Sequence, residues 1–64
     1  MKISDLGLRG PVIRRLRDSV FKIETVGDLV LRSEQELLSM NNFGRVSLSE
    51  VKNRLRELGL ELRY

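Results

Sequence analysis

Leu37-Leu38-Ser39-Met40-Asn41-Asn42-Phe43-Gly44-Arg45-Val46-Ser47-Leu48-Ser49-Glu50-Val51 reads as a helix, a tight turn and a second helix. Leu37, Leu38 and Met40 form an inward apolar stripe, and Asn41-Asn42-Phe43-Gly44 is turn-like. Ser47 followed by Glu50 has the form of a capping box, in which the hydroxyl accepts from an orphan N–H and the acid reaches back. Gly44 permits a positive φ in the turn and lets a ligand backbone approach closely. Phe43 reads as a core plug behind the turn.

Two further capping boxes lie upstream, at Thr25 with Asp28 and at Ser33 with Glu36; the aspartate makes the first a shorter version. Gly10-Pro11 predicts a fourth helix start, because proline suits the first helical position. From Pro11, Val12, Leu16 and Val20 recur at every fourth position with Ile13 beside them, and Val26, Leu29 and Val30 supply a shorter apolar turn. Leu48, Val51, Leu55 and Leu58 continue at helical spacing until Gly59, which with Leu60 fits a left-handed C-terminal cap. Lys22-Ile23-Glu24 is turn-like, and Phe21 reads as core. Ile23 to Leu29 and Met40 to Val46 echo one another faintly. Tyr64 is terminal and expected to fray. The expected fold is all-α: a compact bundle of four to five short helices, one domain over residues 1–64.

Size and composition exclude several classes of function. A chain of 64 residues buries only about 60% of its unfolded surface and has little room to enclose a substrate. Histidine and cysteine are absent, so the commonest general base and the best nucleophile are missing, as are disulfides and thiolate metal sites. Nine carboxylates remain, most of them suited to helix starts or exposed faces. No catalytic residue, cofactor or metal is expected. No apolar run approaches the roughly 18 residues of a membrane span. The N-terminus lacks a signal-peptide pattern, which suits the cytoplasm.

Charge distribution is more informative than the net +3. Arg9, Arg14, Arg15 and Arg17 cluster without an intervening acid, whereas Lys52, Arg54 and Arg56 alternate with Glu50 and Glu57. Clustered arginine is the footprint of a phosphate-binding face; a solvated helix face has the same composition. Outward-pointing N–H groups at the 41–44 turn and the following helix start would suit an anion. This is the helix-hairpin-helix arrangement, which holds nucleic acid by its phosphates without reading bases. An ordinary turn in which Gly44 is only a bend fits the same residues.

Five segments in register resemble a known family: Leu6-Gly7-Leu8, Thr25-Val26-Gly27-Asp28-Leu29-Val30, Ser33-Glu34-Gln35-Glu36-Leu37-Leu38, Asn42-Phe43-Gly44-Arg45-Val46-Ser47-Leu48-Ser49-Glu50-Val51-Lys52 and Leu55-Arg56-Glu57-Leu58-Gly59-Leu60. Together they are similar to the C-terminal domain of the bacterial RNA polymerase alpha subunit. The resemblance implies a non-catalytic domain of a DNA-directed RNA polymerase, joined to the rest of the enzyme by a flexible linker and associated with the nucleoid. It implies contact with the minor groove of upstream promoter DNA, with transcription activators and with the sigma factor.

Carried over residue by residue, the resemblance gives Asn42, Gly44, Ser47 and Glu50 as DNA-binding positions and Asp5 as a contact to the sigma factor. An N-terminal helix charge is the plainer role for Asp5. The family's groove-entering arginine is replaced by Pro11, its asparagine by Arg14, and a lysine after the turn glycine by Val46, with Arg45 keeping a charge next door. Two residues are inserted between Leu16 and Val26. Two readings follow. Either Arg14, Arg15 or Arg9 takes over the phosphate contacts, giving weak DNA binding, or the domain has lost that site and works through protein contacts. A nonspecific appendage of a DNA-repair or recombination protein is a third.

Overall fold

The computed structural model describes residues 1–63; Tyr64 lies outside them. A 3-10 turn at Ile3–Asp5 is followed by four helices: α1 (Gly10–Asp18), α2 (Val26–Val30), α3 (Glu34–Leu38) and α4 (Arg45–Glu57). Among the described residues the only β pairing is an isolated bridge between Lys2 and Thr25. A radius of gyration of 10.1 Å matches the ~11 Å of a folded protein this long, so the expected compact helical bundle is the fold observed.

The helix starts differ in chemistry. In α2 the Thr25 hydroxyl accepts from Asp28 N at 3.0 Å, while Asp28 Oδ2 accepts from Thr25 N at 3.1 Å and Glu24 N at 3.2 Å. The Glu24 N–H, then that of Thr25, hold the Asp28 carboxyl below its ordinary range. In α3 Ser33 and Glu36 exchange equivalent bonds of 3.0 and 2.9 Å. The third expected box does not form. α4 begins at Arg45, with extended Gly44 as its N-cap, so Ser47 lies inside the first turn and Glu50 turns elsewhere.

α1 opens as expected, with Pro11 in its first turn and Val12 and Leu16 fully buried. Its apolar stripe stops earlier than the spacing predicts: Val20 is 85% exposed. The backbone leaves the helix at extended Ser19, whose hydroxyl donates to Leu16 O at 2.8 Å, and Lys22 takes φ +51°. That reversal lets Ile23 N donate to Leu16 O at 3.2 Å and seats Ile23 in the core. Phe21 packs against the core half-buried, with the Arg32 guanidinium 5.1 Å from its ring centre.

Three other apolar expectations change at helix ends. Leu38, the last residue of α3, is exposed, as is Leu58, which lies beyond α4. Gly59 takes φ +73° and donates to Arg56 O, while Leu60 N donates to Leu55 O, which together form a Schellman cap. Leu60 follows the expected backbone path with its side group exposed; Leu62 closes the core instead, as Arg63 N donates to Val30 O at 2.9 Å. Ile3, Leu29, Leu37, Val51 and Leu55 complete the fully buried centre. Phe43 plugs the core behind the turn, as expected.

Candidate nucleic-acid interface

Burial of Val12 and Leu16 fixes the rotation of α1 and leaves Arg14, Arg15 and Arg17 on its solvent side. The α3–α4 turn is fixed by its own anchors: Met40 and Phe43 are buried, and the residues between them bulge outward. Asn42 carries the left-handed conformation at φ +60°, whereas Gly44 is extended at φ −112°. The positive φ expected at the glycine therefore lies two residues earlier, because the asparagine side group tolerates that region. A Cβ added at Gly44 would meet nothing within 4 Å, so the space beside the turn is open there.

Arg14 and Arg15 of α1 face Asn41 and Asn42 of the turn across an open groove of about 470 Å³. The structure thus brings together three of the expected site residues, Arg14, Arg15 and Asn42. Beyond the buried Phe43 come Gly44 and Arg45, both exposed, where no side-group hydrogen bond caps the start of α4. Uncapped N–H groups and the positive end of a helix of this length favour an anion.

Ser47 and Glu50 sit differently. Ser47 is buried on the inner side of α4. Glu50 is committed within the domain: its carboxylate accepts from Arg9 N and from Arg9 Nε, both at 2.7 Å. The Arg9 N–H is the main cause, with its guanidinium second among the lowering ones, that keeps the Glu50 carboxyl below its ordinary range against the opposing effect of burial. Glu50 thereby ties the start of α1 to the middle of α4. Asp5 is exposed in the 3-10 turn and lines neither the groove nor the surface around Glu50.

Both basic clusters of the sequence are partly paired: Arg9 holds Glu50 in the first, and two of the three cations of the second have carboxylate partners. Lys52 pairs with Glu34 at 3.1 Å and Arg54 with Glu57 at 3.0 Å. Arg14, Arg15, Arg17 and Arg45 make no ion pair among the described residues. Arg14, Arg15 and Arg17 lie on α1, and Arg45 is the first residue of α4, beside the turn.

Residues 17–57 match the family formed by the C-terminal domain of the bacterial RNA polymerase alpha subunit. The protein belongs to that family. It is 60% identical over 43 residues to the DNA-directed RNA polymerase subunit alpha of Thermotoga maritima, covering 66% of this sequence and 13% of that one. Against the subunit of Cutibacterium acnes it is 61% identical over 41 residues, 64% of this sequence and 12% of the other. Against that of Fervidobacterium nodosum it is 44% identical over 63 residues, 97% of this sequence and 19% of the other. The 64 residues therefore span less than a fifth of the length of these relatives.

Membership in the alpha C-terminal domain family agrees with the expected lack of a catalytic site in the domain itself. Asn42, Gly44, Arg45, Ser47 and Glu50 lie inside the matched segment, whereas Arg9, Arg14 and Arg15 precede it. Among the described residues no acidic cluster is arranged to hold a metal, and no helix is long and apolar enough to cross a membrane. The Arg9–Glu50 clamp went unread in the sequence, because partners separated by 41 positions leave no local pattern.

Proposed function

We propose that residues 1–64 form a single domain of a bacterial RNA polymerase alpha subunit that touches upstream promoter DNA weakly, chiefly through phosphates. It acts in transcription in the cytoplasm, tethered by a linker to the rest of the polymerase, and carries no chemistry of its own. The observation that supports this most is the juxtaposition of unpaired Arg14 and Arg15 with the Asn41-Asn42 turn, next to the uncapped start of α4. Arg14, Arg15 and Arg45 meet phosphates, Asn42 donates from its amide, and Gly44 lets the backbone come close. Glu50 acts by holding Arg9 and the start of α1 in place, and Ser47 by seating the first turn of α4. Asp5 is the residue proposed for the sigma factor, and the exposed surface receives transcription activators.

A second reading, a protein-docking domain without DNA binding, is favoured by two positions. Exposed Pro11 and Val46, the latter 75% exposed, stand where the family pattern has cations. Salt dependence separates the two. Three phosphate contacts give a slope of log affinity against log salt of about −2.7, and Arg14→Ala/Arg15→Ala reduces it to about −0.9. A slope near zero, unchanged in the double variant, contradicts phosphate binding and leaves the docking reading.

A further inference from the structure

The groove beside Arg14 and Arg15 has an apolar interior that phosphate binding does not use. Phe21, half-buried, and Met40, 8% exposed, line it, and Val20 stands at its edge. At 85% exposure Val20 is the most exposed large apolar residue described. This wall exists because the backbone leaves α1 at Ser19 and returns through Lys22. The Arg32 guanidinium lies over the Phe21 ring, 5.1 Å from its centre, and helps hold the aromatic in position.

The rims are polar and unequal. Arg14 and Arg15 supply two guanidiniums with no ion pair among the described residues, and Asn41 and Asn42 supply amides opposite them. Asp18 places a carboxylate farther along α1. A duplex satisfies the cations at the rim, but its phosphates gain nothing from Phe21, Met40 and Val20. An extended peptide uses both: carboxylates meet the arginines, backbone groups meet the asparagine amides, and an apolar residue fills the interior.

We infer that this groove docks an acidic segment of a protein partner, with one leucine-sized residue against Phe21, Met40 and Val20 and carboxylates on Arg14 and Arg15. The Met40 thioether adapts to the shape of the inserted group. Asp18 repels carboxylates from its part of the groove and so favours placing them on Arg14 and Arg15. The docking rests on the preceding reading in one respect: peptide and DNA share Arg14 and Arg15, so each excludes the other.

The test is fluorescence anisotropy with a labelled peptide of Asp and Glu residues around one central leucine, alongside amide shifts of the domain. Binding is expected to shift Val20, Phe21 and Asn41, to weaken about tenfold when the peptide's leucine becomes alanine, and to displace duplex DNA. Val20→Ser, a change in an exposed loop, is expected to weaken the peptide about threefold and leave duplex affinity unchanged. Absence of peptide binding while the duplex binds overturns the docking site alone. Equal binding of the leucine-free peptide also overturns it, since charge then accounts for everything. Leucine-dependent binding without any duplex binding supports the groove and contradicts the DNA reading only.

Discussion

Replacing Glu50 by glutamine removes one negative charge at the joint between α1 and α4 and leaves the side-group shape nearly unchanged. The carboxylate, whose side group is 18% exposed, accepts from Arg9 N and Arg9 Nε, each at 2.7 Å. Two bonds to a buried charge would contribute ~1.5–3 kcal/mol each. Two effects reduce that here. The amide oxygen of glutamine still accepts from the Arg9 N–H, and the Arg9 guanidinium is 63% exposed, so its attraction is screened. The expected loss is ~1 kcal/mol, which for a domain this size lowers Tm by roughly 4–8 °C.

The pH dependence gives the same prediction a second, independent test. Arg9 lowers the native pKa of Glu50 below its ordinary value of 4.5. Stability from a lowered carboxylate is fully present above the unfolded-state pKa and is lost as pH falls through the native one. The gap between wild type and Glu50→Gln is therefore expected to be constant at neutral pH and to close in acid. Asp28 is also lowered, but both proteins carry it, so it cancels. Thermal unfolding followed by circular dichroism measures the gap at each pH. A variant at least as stable as wild type at neutral pH, or a gap that persists in acid, refutes the clamp.

Other substitutions separate fold from binding. Gly44→Asp suits the extended N-cap of α4 and is expected to raise stability by a few tenths of a kcal/mol in urea unfolding while weakening duplex binding, since it sets a carboxylate against phosphate. Gly59→Ala places a Cβ at φ +73° and is expected to cost ~1 kcal/mol, read as a lower Tm with DNA binding unaffected below it. Leu55→Ala opens a void at a fully buried position and is expected to cost ~2–5 kcal/mol, enough to populate unfolded protein in an amide-exchange measurement.

The sequence was most legible where local chemistry acts alone. The Thr25 and Ser33 capping boxes, the Gly59 cap and the Phe43 plug follow from residues within a few positions of one another. It misled where tertiary contacts intervened. Ser47 and Glu50 have capping-box spacing, but burial of Phe43 starts α4 earlier and Arg9 captures Glu50. Val20 continues a helical spacing that the Ser19–Lys22 loop interrupts, because Ile23 fills the core in its place. The site was legible in part for the same reason. Arg14 and Arg15 could be read as a basic cluster, but the groove joining them to Asn42 depends on where the loop and the turn come to rest. The Asn42 conformation had a local signal, since asparagine is the residue most ready to replace glycine at positive φ.

An amide-shift titration of the labelled domain with an A·T-rich duplex, repeated at low and moderate salt, tests the proposed interface most directly. Shifts concentrated from Asn42 to Ser47 and around Arg14 and Arg15, fading as salt rises, are the predicted result. A spectrum that does not move at low salt, with the folded dispersion of peaks intact, would contradict DNA contact by this domain.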